Sequence, residues 1–391
     1  MSHLVLAINP GSTSTKIAVF KDETPVLSKT LRHSREDLAA FTCNNEQIPY
    51  RRRMIEEALA ECGYSLQDMD AFSARGGGQC SHVGGTFLVN ELMVHEAYEE
   101  KYASHPALLA CQIAYQFANE TGKPAFMTNS PATDEMDEIA RFTGLAGIYR
   151  TCYTHALNQK EVARRYAASV DKAYEDLNLI ICHIGGGISI TAHRHGRMID
   201  TNDILNGDGP MAPNRVGSIP AVDIVDLCYS GKTRAEMVKL IRSQGGLLDH
   251  LGTFDALDVE EKIANGNTYA KKIYDAMIYQ IAKYVGSMAV ALKGKVDQIV
   301  LTGGIAHSEY LCNMVEEYVS FIAPVTIMAG EFEMEALAAG ACDALENGAL
   351  EYTGVPIWSE AMMFKAIGTE ESSDDAFSTP CEPAVVAGVL G

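Results

Sequence analysis

Two stretches of the chain share one pattern of apolar and small residues. Leu4-Val5-Leu6-Ala7-Ile8 is a short apolar run that stops at Asn9-Pro10-Gly11-Ser12, and Lys16-Ile17-Ala18-Val19-Phe20 resumes it. An apolar run, a turn and a second run predict a hairpin. The pattern returns as Leu179-Ile180-Ile181-Cys182-His183-Ile184, then Gly185-Gly186-Gly187, then Ile188-Ser189-Ile190-Thr191-Ala192. Two such units imply an internal duplication in which each half opens on a hairpin.

Between the hairpins, helical spacing of apolar residues predicts helices over 52–62, 107–121 and 159–168, with a short strand at Ala125–Thr128. In the second half it predicts a long amphipathic helix over 269–292, a buried strand over 298–301 broken by Thr302-Gly303-Gly304, and helices over 309–321 and 335–347. Strands alternating with helices indicate α/β domains with partly parallel sheets. From about Thr353 the texture changes, with the acidic Thr369–Asp375 stretch followed by Pro380 and Pro383, which reads as a loosely ordered tail without chemistry.

At 391 residues the chain exceeds a single hydrophobic core, so two domains with a cleft between them are expected. The net charge of −20 repels phosphate backbones and argues against nucleic acid as a partner. An anionic substrate meets the same repulsion, so its site needs its own Arg or Lys and a divalent cation. The ten cysteines are scattered, with no C-x-x-C and no clustered Cys/His spacing, and read as reduced thiols. No stretch reaches the roughly 18 apolar residues of a membrane span, and the N-terminal run is too short for a signal segment. A cytoplasmic protein without membrane contact is expected.

Turns rich in glycine or serine can aim backbone N–H groups and hydroxyls at phosphate oxygens, because only small side chains let the backbone come that close. Asn9, Ser12, Thr13 and Ser14 add side-chain donors to the first turn and Lys16 a charge, whereas Gly185, Gly186 and Gly187 leave bare backbone at the second. Either turn alone is more often an ordinary hairpin; their repetition favours phosphate. Three other motifs fail. Gly231-Lys232-Thr233 lacks the first P-loop glycine, which would be Asp226; His95-Glu96-Ala97-Tyr98-Glu99 lacks the second metalloprotease histidine; and Gly185-x-Gly187-x-x-Ile190 lacks the last dinucleotide glycine.

Five motifs then occur in one order: Asn9-Pro10-Gly11-Ser12-Thr13-Ser14-Thr15-Lys16, Arg75-Gly76-Gly77-Gly78, His155-Ala156-Leu157-Asn158-Gln159-Lys160, Cys182-His183-Ile184-Gly185-Gly186-Gly187 and Asn214-Arg215-Val216-Gly217-Ser218-Ile219-Pro220. Over roughly residues 3–350 the chain resembles the butyrate kinases of the acetate/butyrate kinase family. The resemblance implies an α/β, duplicated two-domain, actin-like (ribonuclease H-like) ATPase fold with an interdomain cleft. The domains would be residues 1–152 with a C-terminal return over about 336–391, and a nucleotide-binding domain over 153–335. It implies an ATP-dependent kinase of a short-chain carboxylate, forming an acyl phosphate.

Within that scheme Asn9, Ser12, Ser14 and Lys16 contact phosphates from one side, Gly185, Gly186 and Gly187 from the other, and Gly303 and Gly304 form the adenosine turn. Arg75 and Arg215 flank the carboxylate and the migrating phosphoryl group, and His155 hydrogen-bonds an equatorial oxygen. Phosphoryl transfer rests on such positioning and charge balance. The plain alternative is a surface salt bridge for each arginine and simple packing for the histidine. Gly76 and Gly77, where acetate kinases carry valines, are expected to leave space for an acid longer than acetate. Mg²⁺ is expected at the phosphates, with Glu333, Glu335 and Asp134 as candidate ligands and dipole complement as the plain reading of the two glutamates. The family forms homodimers or larger assemblies, so self-association is expected.

Two departures fall near the expected site. Where the family has aspartate followed by proline, the chain reads Thr128-Asn129-Ser130-Pro131, and where it has a histidine, small residues and asparagine, the chain reads His105-Pro106-Ala107-Leu108. They keep two alternatives open: a nucleotide-binding relative without transfer activity, and an acetate or propionate kinase. A sugar kinase of the same superfamily fits less well, because sugar hydroxyls are usually held by Asp, Asn and Glu.

Overall fold

The structure, a computed structural model, describes residues 2–358 and the short strand Val385–Val386. The acidic Thr369–Asp375 stretch and the prolines at 380 and 383 lie outside the described residues. The chain divides into two compact units, residues 1–134 with 332–391 and residues 135–331. The units are divided at 134/135 and 331/332.

In the first unit β1 (Leu4–Pro10), β2 (Ser14–Lys21) and β3 (Thr24–Arg32) form an antiparallel meander. β1 also pairs in parallel with β4 (Ala71–Ala74), and β4 in parallel with β6 (Ala125–Thr128). β5 (Thr86–Leu88), Ala349–Glu351 and Val385–Val386 extend the sheet beyond β6. β1 is apolar from Leu4 to Ile8 because both of its faces are covered. Leu6 and Ile8 pack with the helices Ile48–Ala60 and Leu109–Thr121, whereas Val5 packs with Ala71, Ala341 and Ala344 under the helix Glu333–Asn347. That helix comes close to the sheet at Gly340, where a Cβ would lie 2.7 Å from Thr86 Oγ1.

The second unit repeats the arrangement. β7 (Asn178–Ile184), β8 (Ile188–Arg194) and β9 (Arg197–Thr201) form the meander, and β7 pairs in parallel with β10 (Gln298–Gly303), which pairs in parallel with β11 (Val325–Ala329). The orders β3-β2-β1-β4-β6 and β9-β8-β7-β10-β11 match strand for strand, with the same senses, so the duplication is real. One face of the second sheet packs on the long helix Thr268–Ala291 through Tyr274, Met277, Ile278, Ile281 and Val285. Asn267 caps that helix by accepting from the Tyr269 and Ala270 N–H groups.

Helices over 221–228, 234–243 and 256–264 escape the sequence pattern because little in them is buried: nothing in the first, Met237 in the second, Val259 in the third. The false P-loop resolves into an ordinary cap, since Thr233 and Glu236 close a capping box on Arg234–Ser243. The described cysteines are all free, with Cys80, Cys111, Cys152, Cys182 and Cys312 buried and Cys43, Cys62 and Cys228 exposed. Among the described residues no helix is long and apolar enough to cross a membrane.

His33, just after β3, is buried with Nε2 2.9 Å from Thr15 Oγ1 and Nδ1 3.4 Å from Tyr50 OH. Burial first, and the Arg51 charge second, push it from 6.5 down to about 4, with Asp37 opposing. The unfolded chain therefore binds more protons than the native state between those values, so stability present above pH 6.5 is lost as pH falls towards 4. Urea unfolding of wild type should weaken between pH 7 and 4.5, and His33→Gln should flatten that slope. An unchanged slope in the variant would place the acid sensitivity elsewhere.

Candidate functional site

Parallel strands end side by side, and ligands of α/β sheets gather beyond their carboxyl ends. In the first unit that edge carries Asn9 at the end of β1, Arg75 after β4 and Asn129 after β6, with the Arg75 N–H donating to Ile8 O at 3.1 Å. Glu333, first residue of its helix, closes the group. Its Oε2 accepts from Asn9 Nδ2 at 2.9 Å and from Arg75 Nη1 at 2.8 Å. Arg75 Nε is buried and has no hydrogen-bond partner among the described residues.

The β1–β2 turn is closed by the Gly11 N–H donating to Ser14 O at 2.7 Å, which leaves Ser12 and Thr13 exposed at its tip and Lys16 exposed on β2. Beneath it lies a residue the sequence reading missed. Arg51 is fully buried, and all its hydrogen bonds go to neutral acceptors: Gln47 Oε1 from Nε at 3.0 Å and Nη2 at 2.8 Å, Ser14 O at 3.2 Å and Thr15 Oγ1 at 2.9 Å from Nη1. Burial pushes its guanidinium down to about 10.

The glycines after Arg75 are not open space. Gly76, Gly77 and Gly78 have φ of 70°, 150° and 87°. A Cβ at Gly76 would lie 2.6 Å from the Met127 side chain, and one at Gly77 would lie 3.2 Å from Ala107 Cβ. A side chain at either position would meet Met127 or Ala107, and the glycines allow a left-handed, close-packed turn.

The three expected metal ligands are not gathered either. Among the described residues no group of three or more His, Cys, Asp or Glu is arranged to hold a metal. Asp134 is buried beyond the β6 loop with its N–H donating to His82 O, and Glu333 is committed to Asn9 and Arg75 through Oε2. Asn129 has φ 40° and clamps Gly85 in both directions, at 3.0 Å through its N–H and 2.8 Å through its Oδ1. Ser130 Oγ sits 2.7 Å from His82 Nε2.

In the second unit the glycine turn and Arg215 form one surface. A Cβ on Gly187 would lie 2.7 Å from Arg215 Cζ, so only glycine lets the guanidinium rest there. Arg215 Nη1 donates to Ile204 O at 3.0 Å, and its Nε is buried without a partner. Burial lowers Arg215 below the usual arginine range while Asp203 opposes, and a guanidinium remains charged there. Gly303 presses on the end of β7, where a Cβ would lie 2.7 Å from the Ile184 carbonyl carbon; Gly186 and Gly304 face open space. The His155 ring stacks on His183, with centroids 3.9 Å apart and planes 14° from parallel. Asn158 Nδ2 lies 3.0 Å from His183 Nδ1 and 3.4 Å from Thr302 Oγ1, tying the helix Ala156–Ser169 to β7 and β10.

Two units, each a meander flanked by parallel strands with polar groups at the carboxyl edge, define an actin-like ATPase fold. Acetate kinase from Porphyromonas gingivalis superposes with a TM-score of 0.69 at 20% identity, covering 87% of this chain and 98% of that one. Residues 142–331 match the acetokinase family. Butyrate kinase 2 of Clostridium acetobutylicum is 45% identical over 89% of this chain and 98% of its own length. A probable butyrate kinase of Phocaeicola vulgatus is 45% identical over 88% and 97%. The chain belongs to the acetate/butyrate kinase family.

Gly76→Ala should lower stability by about 1–3 kcal/mol in urea unfolding, since it combines a left-handed backbone with a clash on Met127. A neutral substitution would mean that the turn relaxes freely. Gly77→Val, with the same backbone strain, is no clean probe of acid length.

Proposed function

We propose that this chain transfers the γ-phosphoryl group of ATP to a linear or branched carboxylic acid longer than acetate, of butyrate or isobutyrate size. As a family member it is a phosphotransferase with a carboxyl acceptor. The observation that carries the reading is the pair of half-satisfied arginines. Arg75 and Arg215 each keep a buried Nε donor without a protein partner among the described residues. A buried donor left unmade is costly, and a planar guanidinium matches a carboxylate or phosphoryl group through two parallel bonds. Identity of 45% to proteins named butyrate kinases supports the longer acid.

In this reading Arg75 and Arg215 balance the charge of the acceptor and the moving phosphoryl group, and His155 donates to an equatorial oxygen. Asn9, Ser12, Ser14 and Lys16 hold phosphates from the first unit, Gly185 to Gly187 from the second, and Gly303 and Gly304 receive the adenosine. Mg²⁺ commonly keeps its waters and uses only one or two carboxylates, so the missing three-acid cluster does not argue against it. Glu333 fits it best, because its Oε1 takes no hydrogen bond among the described residues, whereas Glu335 and Asp134 are weaker candidates. Bound there, the ion would neutralise phosphate charge. Self-association is supported by the helix Ala221–Cys228, which buries none of its residues and exposes Val222 and Val225. Free thiols support a cytoplasmic setting.

An ADP-release assay over linear and branched C2 to C6 acids should give a higher kcat/KM for butyrate or isobutyrate than for acetate, by roughly tenfold for one or two added methylenes. Equal or better use of acetate would overturn the acid assignment; ATP binding without turnover on any of these acids would favour a silent relative. Arg75→Ala and Arg215→Ala should each lower kcat by about 10² or more with nucleotide binding retained. Near wild-type turnover in either variant would make that arginine structural. Asn129→Asp keeps the acceptor for the Gly85 N–H, so it tests the missing acid without disturbing the fold: a large gain in rate means that the departure impairs the enzyme.

A further inference from the structure

Behind His155 runs a chain of side-chain hydrogen bonds whose polarity is set at one residue. Gln159 and Ser189 are fully buried, as is His193. Gln159 Nε2 lies 3.3 Å from the Ser189 carbonyl oxygen, which can only accept, so this end of the amide is the NH₂ group. Its Oε1 therefore faces His193 Nε2 at 3.1 Å and accepts from it. His193 then carries its proton on Nε2 and receives the Tyr174 hydroxyl at Nδ1, 2.5 Å away. Burial, reinforced by the Lys160 charge, holds His193 well below its ordinary value, which keeps that ring neutral.

The same amide fixes the other direction. Gln159 Nε2 donates to Ser189 Oγ at 2.6 Å. The serine hydrogen must then go elsewhere, and the remaining neighbour of Oγ is His155 Nδ1, at 2.9 Å. A buried hydroxyl that did not donate there would leave its proton unpaired. In its neutral form His155 thus accepts at Nδ1 and bears its hydrogen on Nε2. Its flat stack on His183 holds the ring plane.

We infer that Gln159 and Ser189 are positioning residues that lock His155 as the Nε2–H tautomer, so that it presents a hydrogen-bond donor, and not an acceptor, to a phosphoryl oxygen. The inference rests on the phosphoryl-transfer role of His155 given above, and its structural half can be tested without that role. An Nδ1–H tautomer would turn a lone pair towards anionic oxygen and repel it. His155 is the N-cap of the helix Ala156–Ser169 and Gln159 lies one turn on, and both side chains reach Ser189.

Long-range proton–nitrogen NMR on histidine-labelled protein, with the His155 signal assigned from His155→Gln, reads the tautomer directly. Wild type should show His155 protonated at Nε2. Ser189→Ala removes the donor, and Gln159→Glu replaces it with an acceptor that draws the serine hydrogen away. Both should shift His155 towards protonation at Nδ1 or on both nitrogens. Both should also lower kcat roughly tenfold, with the KM for ATP changed less than about threefold, since the loss of one transition-state donor reaches 10²–10³. An Nδ1–H His155 in wild type, or an unchanged His155 signal in both folded variants, overturns the inference. A shifted tautomer with unchanged kcat keeps the lock but overturns the role of His155 in transfer.

Discussion

The parallel pairing of a hairpin's first strand with a strand from much later in the chain is the constraint on which both units depend. β1 with β4, and β7 with β10, bring carboxyl ends together that are far apart in sequence. Beyond those ends the ladder stops and side chains diverge from the sheet edge. Asn9 and Arg75 leave the first edge, Gly185 and Gly303 the second, so the residues argued to hold ATP and acid are placed by main-chain hydrogen bonds. The meander strands on the other side support the hairpin turns and contribute Ser14, Lys16 and Ser189.

Charge explains why the arginines are partnered so sparingly. In a chain with a net charge of −20, carboxylates are abundant, yet Arg51 is buried and Arg215 partly buried against carbonyl, amide and hydroxyl oxygens, and of the three arginines Arg75 alone pairs with an acid among the described residues, Glu333. A full ion pair would compensate each buried cation and close it to ligands. Neutral acceptors satisfy some of the donors while leaving the charge uncompensated, a state that burial opposes and an incoming anion relieves. The lowered values of Arg51 and Arg215 express that opposition.

Much of this is legible in the sequence. Both hairpins, the duplication and the long helices carry strong apolar periodicity, and the five motifs together carry the family. A glycine in the sequence does not say whether a missing side chain serves space or backbone conformation. At Gly76 and Gly77 the backbone is left-handed and packs close to Met127 and Ala107. Arg51 lies just before the helix expected over 52–62, in the triplet Arg51-Arg52-Arg53. Its phase gave a usable signal, since Ile48, Arg51, Ile55 and Leu59 form one buried stripe of their helix. The polarity of the Gln159 chain had no sequence signal, because it depends on a carbonyl oxygen of β8.

The replacement of the family's aspartate falls where the scaffold can absorb it. Asn129 occupies a left-handed backbone position that asparagine tolerates better than most residues, and its Oδ1 supplies the acceptor that an aspartate would give to the Gly85 N–H. Ser130 is likewise used, through its contact with His82. Shape and hydrogen bonding at the end of β6 are therefore retained while one negative charge is removed. At this edge of the first sheet Glu333 is the acid bonded to Arg75. If the position belongs to the site proposed above, the departure would act on electrostatics more than on the fold, because the acceptor for the Gly85 N–H is kept.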